Sequence, residues 1–197
     1  MVSLCLGTAA FILYFIYDVN SFCWQREIPK AFFAAGTLLL GASLALDLHA
    51  AFAAGAFSGL ADAALLAGAA AGFAAVIYSL FFALPFDETY ARQENGRRVY
   101  DKGVYALCRH PGILCFFLMY LLLGFAARPQ NGLLIRGMLF SAMNLGYALF
   151  QDRITFPKTF ADYHDYQQRV PFLIPTKSSI RLAYSTLCRT DDEEANT

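Results

Sequence analysis

The sequence predicts an all-α, polytopic membrane protein with about five transmembrane helices. Hydrophobic residues make up 58% of the 197 residues and charged residues only 15%, whereas a soluble domain has about 25% charged residues. A helix needs ~17–25 residues to cross a bilayer. Five stretches are free of charge; the third is long enough by itself, and the other four are short, so that they must include polar flanking residues or tilt little. The five stretches are residues 1–17, 31–46, 63–86, 112–127 and 137–151.

The five predicted spans fall into three regions. Residues 1–86 hold spans 1–3, which we expect to be a transmembrane scaffold. Residues 87–175 hold a polar loop, a helical hairpin of spans 4 and 5, and a tail helix, and we expect this to be the catalytic region. The hairpin breaks at Arg128-Pro129-Gln130-Asn131. Residues 176–197 form a C-terminal tail whose acidic end, Asp191-Asp192-Glu193-Glu194, is predicted to be disordered.

Small and polar residues in the scaffold predict how its helices meet. Gly55-x-x-x-Gly59 and Gly68-x-x-x-Gly72 have the spacing that lets membrane helices approach closely. We expect Asp47 and Asp62 to lie in loops or at the membrane interface, where a carboxylate can cap a helix.

The distribution of basic residues predicts the orientation. With five spans, one face holds thirteen of the fifteen Lys and Arg residues, and the other holds only Arg128 and Arg136. Cytoplasmic loops carry the excess of Lys and Arg. The expected topology is therefore an N-terminus outside and a C-terminus in the cytoplasm. No Lys or Arg precedes the first apolar run, so we expect no cleaved signal peptide.

Charge and cysteine spacing disfavour other classes of protein. The net charge of zero argues against nucleic acid as a partner. The five cysteines show no Cys-x-x-Cys pair and no metal-like spacing with the three histidines, so we predict no metal site. Cys108 and Cys115 are expected to be buried, inert thiols. The expected partner is a membrane lipid or a lipidated substrate.

The most informative segment is Gly103-Val-Tyr105-Ala-Leu-Cys-Arg109-His110-Pro111, which precedes the fourth apolar run. Arg and His at the mouth of a membrane helix are costly to desolvate and need a partner. Pro111 suits the first turn of a helix, and the amides there, with Arg109, would attract a carboxylate or phosphate. A simpler alternative is that Arg109 and His110 extend to the lipid headgroups.

A second polar block follows the fifth span. Phe160-x-x-Tyr163-x-x-Tyr166 places aromatic rings on one helix face, and Val170-Pro171-Phe172-Leu173-Ile174-Pro175 ends that helix. An interfacial anchor helix is the alternative interpretation of this block.

The two blocks together resemble the isoprenylcysteine carboxyl methyltransferase family, whose membrane scaffold the phospholipid N-methyltransferases share. The resemblance covers roughly residues 90–175 and lies in Gly103-x-Tyr105-x-x-x-Arg109-His110-Pro111 and Tyr163-x-x-Tyr166-x-x-x-Val170-Pro171-x-x-Ile174-Pro175. It implies an S-adenosylmethionine site formed by the third loop, the start of the fourth span and the tail. Methyl transfer requires mainly alignment of the acceptor with the methyl carbon in a dry site.

The resemblance also implies roles for individual residues. Arg109 and Asp152 would be catalytic, and Tyr147, Tyr163 and Tyr166 would contact the substrate. The implied cofactor-binding residues are Arg97, Arg98, Val99, Tyr100, Tyr105, His110, Pro111, Gly112, Ile113 and Asp152.

Three departures from the family pattern bear on the substrate. Ile113 stands where the family usually has a Tyr, and the usual Glu-Glu pair aligns with Gln151-Asp152 or Asp152-Arg153. The substrate-clamping Arg of the family would fall at Tyr147 or Ala148 and is absent. An acceptor without a free carboxylate is therefore compatible with this sequence.

Two other functions remain open. An NADPH-dependent membrane reductase of the steroid or sterol reductase type has a similar Arg-His-Pro and a similar ending, and Arg97-Arg98 would then bind the 2′-phosphate. A non-catalytic membrane protein that kept the scaffold would explain the departures at Ile113 and at the Glu-Glu pair.

Overall fold

The computed structural model describes residues 1–27, 31–83, 97–127 and 132–194. Within these ranges the protein is all-helical, as predicted, and its only extended pairing is an isolated bridge between Arg97 and Phe160. The part of the polar loop from residue 87 to 96 and the hairpin break at residues 128–131 lie outside the described residues.

Each of the five long apolar helices overlaps one of the five charge-free runs. Three of them continue into a five-residue π-helical turn, at Asn20–Trp24, Tyr78–Phe82 and Gln151–Thr155. The long helices are α1 (Val2–Val19), α2 (Phe32–Ala53), α3 (Leu60–Ile77), α5 (Pro111–Ala126) and α6 (Leu133–Phe150). The shorter helices are α4 (Val104–Leu107), α7 (Phe156–Thr159) and α8 (Tyr163–Arg169), and the chain's described part ends in α9 (Lys177–Glu194).

Four of these helices are long and apolar enough to cross a membrane. They are Val2–Trp24, Phe32–Ala53, Leu60–Phe82 and Leu133–Thr159. The protein is therefore a multi-pass membrane protein. The fourth predicted span, Pro111–Ala126, is a shorter apolar helix of 16 residues, so a count of five spans stays a prediction. Helix α9 extends through Glu194 and includes the acidic residues for which we expected disorder.

The described residues form two compact units. The scaffold unit consists of Met1–Phe73 and Phe116–Thr155, and the motif unit consists of Ala74–Cys115 and Phe156–Thr197. Helices α3 and α5 contribute residues to both units.

Glycines let the helices of the scaffold unit approach closely. A Cβ at Gly124 of α5 would lie 2.7 Å from the backbone Cα of Leu134 in α6, and a Cβ at Gly137 would lie 2.8 Å from Tyr120. These contacts pack α5 against α6 and agree with the predicted hairpin. The Gly68-x-x-x-Gly72 prediction is partly supported, because a Cβ at Gly68 would lie 3.0 Å from Leu122.

The prediction for Gly55-x-x-x-Gly59 was wrong, because Gly55 ends α2 instead of packing it. Gly55 has a positive φ of 64°. Its N–H donates to the Phe52 carbonyl, and the Ala56 N–H donates to the Ala51 carbonyl. This is a Schellman ending, which satisfies the last carbonyls of the helix and favours glycine at the left-handed position.

The two scaffold carboxylates differ from each other. Asp62 caps α3, since its Oδ2 accepts hydrogen bonds from the amides of Ser58 (3.0 Å) and Gly59 (2.9 Å). Asp47 was predicted in a loop or at the interface, but it is buried within α2 and pairs with Arg136 at 2.9 Å. Ser3 donates to the same carboxylate at 2.7 Å. Among apolar helices a charge is tolerated only with such partners.

We expect Gly124→Ala to lower the stability of the detergent-solubilised protein by ~1–3 kcal/mol, because the new methyl group meets the α6 backbone, which cannot move aside. The matched control is Gly146→Ala in α6, where a Cβ would have nothing within 4 Å. Thermal unfolding of both variants makes the comparison, and equal midpoints would contradict the close packing of α5 on α6.

Candidate functional site

The candidate site is built on the Gly103–Pro111 segment, at the start of α5 in the motif unit. Gly103 has φ 58° and ψ −128°, a conformation that only glycine adopts easily. Its N–H donates to the Thr186 hydroxyl of α9 at 3.1 Å. The backbone conformation at position 103 therefore favours glycine, and this conformation leads the chain into α4.

His110 is the centre of an aromatic group. The imidazole is 8% exposed. It stacks almost parallel to the Phe156 ring, at 5.9 Å and 12°, and lies 5.0 Å from the Phe172 ring at 60°. The Arg109 guanidinium lies over Phe172, 5.6 Å from the ring centroid, which is within the range of a cation–π interaction. The His110–Arg109 pair is thus enclosed by aromatic residues from the tail.

Backbone hydrogen bonds join the two sequence blocks directly. The Arg109 N–H donates to the Pro171 carbonyl at 2.9 Å, and the Tyr166 hydroxyl donates to the Tyr105 carbonyl at 2.7 Å. Buried carbonyls and amides must be paired in this way. The predicted association of the Arg-His-Pro block with the tail is therefore present within the motif unit.

The segment after the polar loop is also tied to the tail. Asp162 accepts a hydrogen bond from the Val99 N–H at 2.9 Å, and the Ala161 N–H donates to the Arg97 carbonyl at 3.0 Å. Arg98 is exposed, and Tyr100 contacts Tyr105 edge to face at 6.5 Å. Residues 97–100 thus lie along the tail, where the family resemblance expects main chain to wrap the cofactor.

Tyr163, Tyr166 and Val170 form the buried core of the tail. Val99, Phe156, Phe160 and Leu182 pack against them. The Tyr163 and Tyr166 rings are therefore inside this cluster, where their contacts support the motif segment. Their assignment to the substrate stays a prediction.

Tyr105 and the first turn of α5 rest on the π-helical turn after α3. The Tyr105 hydroxyl donates to the Ser79 carbonyl at 2.6 Å, and a Cβ at Gly112 would lie 2.9 Å from the Ser79 hydroxyl. The Ile113 N–H donates to the His110 carbonyl at 3.2 Å. Gly112 is thus a close-contact position, and Ile113 has its amide inside the helix turn.

Burial sets the protonation of two groups beside the motif. It raises the pKa of the Cys108 thiol to about 11 and also raises the pKa of the Tyr166 phenol, chiefly by desolvation. Both groups are therefore neutral at pH 7. Tyr166 is kept as a hydrogen-bond donor, and Cys108 is buried, as predicted, whereas Cys115 is half-buried; the inertness of these thiols stays a prediction.

Asp152 and Tyr147 belong to the scaffold unit. Asp152 is buried in the π-helical turn Gln151–Thr155, and Tyr147 lies one turn earlier in α6. The Tyr147 ring stacks on Tyr14 at 5.8 Å. The catalytic role of Asp152 stays a prediction, as does that of Arg109.

Sequence reasoning missed Phe156, Phe172 and Ser79 as neighbours of the motif. Phe172 lies inside the Val170-Pro171 block, and its position next to Pro171 could have identified it as a neighbour of the motif. Phe156 and Ser79 lie in stretches whose composition is ordinary for membrane helices, so no pattern distinguishes them. Throughout residues 1–27, 31–83, 97–127 and 132–194, no group of three or more His, Cys, Asp or Glu side chains is arranged to hold a metal.

We expect Cys108 to resist alkylation by N-ethylmaleimide at pH 8 and to react quickly in Tyr166→Ala. Removal of the ring and hydroxyl opens the contact between the tail and the motif, exposes the thiol and lowers its pKa toward the usual range. Peptide mass spectrometry after timed labelling measures the rates, with exposed Cys23 as the internal reference. Equal Cys108 rates in both proteins would contradict this packing.

Comparisons with known proteins assign this chain to no family. No protein-family model matches it, and neither a curated protein nor a solved structure does. The functional interpretation therefore depends on the two sequence blocks and on the contacts between them.

Proposed function

We propose that this protein is an integral-membrane, S-adenosylmethionine-dependent methyltransferase that acts on a lipidic acceptor. The supporting observation is the contact between the Arg109-His110-Pro111 segment and the Val170-Pro171-Phe172 segment. These blocks carry the family resemblance, are about sixty residues apart in sequence, and are joined by the Arg109–Pro171 backbone bond. A membrane anchor helix alone would not require this bond.

The residues around His110 fit the chemistry of the cofactor. Its adenine would be bound by aromatic faces, of which Phe156 and Phe172 are the nearest to His110. Its carboxylate would be bound by the Arg109 guanidinium and by the N-terminus of the 16-residue helix α5. When bound, the cofactor would supply an electrophilic methyl group.

Asp152 is proposed to act near the acceptor. It is a buried carboxylate at the end of the fifth apolar helix, which is where the family resemblance places an acidic pair. An amine acceptor must lose a proton before it is methylated, and a carboxylate can accept it or orient the amine.

The proposed orientation places the N-terminus outside and the C-terminus in the cytoplasm. The excess of Lys and Arg in the loop before α4 and in the tail supports it. The motif unit would then be at the cytoplasmic surface, where the soluble cofactor is available, and the acceptor would enter from the bilayer.

We expect S-adenosylmethionine to stabilise the purified protein in detergent, by ~2.7 kcal/mol at a hundredfold excess over its Kd. His110→Ala should weaken this binding about tenfold or more, because the imidazole fixes both phenylalanine rings. His164→Ala, at an exposed position of α8, is the matched control. Calorimetry gives both affinities.

Parallel titrations with NADPH separate the competing functions. Stabilisation by NADPH alone would indicate the reductase, and stabilisation by neither compound would indicate a non-catalytic scaffold protein. Equal affinities in His110→Ala and His164→Ala would remove His110 from the cofactor site.

We expect Asp152→Asn to lower the rate of methyl transfer by about 10²-fold or more, because Asn keeps the shape of Asp but cannot accept a proton. The measurement is transfer of labelled methyl groups into a membrane lipid extract. Asp165→Asn makes the same substitution at an exposed position and should keep the wild-type rate. An unchanged rate in Asp152→Asn would exclude Asp152 from the reaction.

A further inference from the structure

Asp18 is a carboxylate buried inside the scaffold unit, and no motif of the sequence drew attention to it. It lies one residue before the end of α1, within the apolar helix Val2–Trp24, and is 4% exposed. An ionisable group inside a membrane helix is costly, and such groups are usually functional. Asp47, the other buried carboxylate of this unit's first two helices, has Arg136 as its counterion.

The described neighbours of Asp18 are neutral hydrogen-bond donors. The buried Oδ2 atom of its carboxylate accepts no hydrogen bond from the described residues, and the side chains that interact with the carboxylate, Tyr147 and Gln151, carry no positive charge. Within residues 1–27, 31–83, 97–127 and 132–194, no Lys or Arg forms an ion pair with it. Neutral donors lower the cost of a buried carboxylate but do not balance its charge.

An aromatic cluster lies one helical turn before Asp18, around Tyr14 of α1. Tyr147 stacks on Tyr14 at 5.8 Å and 25°, and Phe33 of α2 lies 5.5 Å from both Tyr14 and Tyr17. The Tyr14 hydroxyl donates to Thr37 at 3.1 Å, which fixes its ring. A carboxylate among aromatic faces is the combination that recognises an alkylammonium group.

The local backbone is irregular on both sides of Asp18. The π-helical turn Asn20–Trp24 begins two residues after it, and a second π-helical turn, Gln151–Thr155, begins at Gln151. Such turns are rare and occur often at functional sites. Asn20 holds the first turn in place, since its side chain bonds both the N–H and the carbonyl of Arg26 at 2.9 Å.

The position along the helix indicates the source of the ammonium group. Asp18 is close to the C-terminal end of α1, and exposed Trp24 follows it. Tryptophan and tyrosine mark the depth of the lipid headgroups. A headgroup ammonium is available at this depth from the bilayer itself.

We propose that Asp18, with Tyr14 and Tyr147, forms a binding site for the ammonium group of a zwitterionic membrane lipid. The ammonium group acts as the counterion of the buried carboxylate. The lipid chains lie along the outer faces of α1 and α6. This site concerns binding alone and does not depend on methyl transfer.

Trp24 provides the test, because it is the single tryptophan of the chain and lies six residues after Asp18, in the same apolar helix Val2–Trp24. Its fluorescence is titrated in detergent, without S-adenosylmethionine, with short-chain phosphatidylethanolamine and phosphatidylcholine and with phosphatidylglycerol of the same chains. We expect the two ammonium lipids to bind at least about tenfold more tightly than phosphatidylglycerol. Equal affinity for all three lipids in the wild-type protein would overturn the proposal.

Asp18→Asn should abolish this selectivity, because the amide cannot balance the ammonium charge, whereas Asp165→Asn should retain it. Selectivity that survives in folded Asp18→Asn would overturn the assignment to Asp18. Free ethanolamine and choline are titrated as well. If they bind as tightly as the lipids, the proposal that the ammonium group comes from a membrane lipid is wrong. The wild-type lipid comparison stands even if Asp18→Asn does not fold.

Discussion

Two hydrogen bonds hold the motif unit in its observed form, one from the Arg109 amide to the Pro171 carbonyl and one from the Tyr166 hydroxyl to the Tyr105 carbonyl. Without them, buried backbone groups at the start of α5 would have no partner, at a cost of ~1–3 kcal/mol each. The bonds also bring Phe156 and Phe172 to His110. The aromatic enclosure of the imidazole is thus a consequence of satisfying the backbone of two polar segments.

In the scaffold unit, side chains provide the partners that buried polar groups require. Asp47 is stabilised by the Arg136 counterion and by the Ser3 hydroxyl, and Ser43 in turn bonds the Ser3 carbonyl. Asp18 has the uncharged side chains of Tyr147 and Gln151 as its neighbours instead. The two carboxylates therefore differ in their partners, and this difference supports the lipid site that we propose at Asp18.

The site was predictable from the sequence only in part. The motif spacing identified Tyr105, Arg109 and His110, and the Val-Pro block identified the segment that packs against them. Phe156 and Ser79 could not be found in this way, because a phenylalanine or serine in an apolar helix has no signature until another segment contacts it. Asp18 was a lone carboxylate at the end of a predicted span, and its neighbours Tyr147 and Gln151 are more than 120 residues away in sequence.

Composition alone determined the fold class and the approximate positions of the five apolar helices, because a bilayer requires long runs without charge. Gly103 is likewise explained by a local backbone conformation with positive φ, which the sequence can specify with one glycine. Only the tertiary structure decided that Gly55 ends a helix, that Asp47 pairs with Arg136, and which rings enclose His110. These outcomes depend on contacts between residues far apart in sequence, and local patterns carry no information about which distant groups become neighbours.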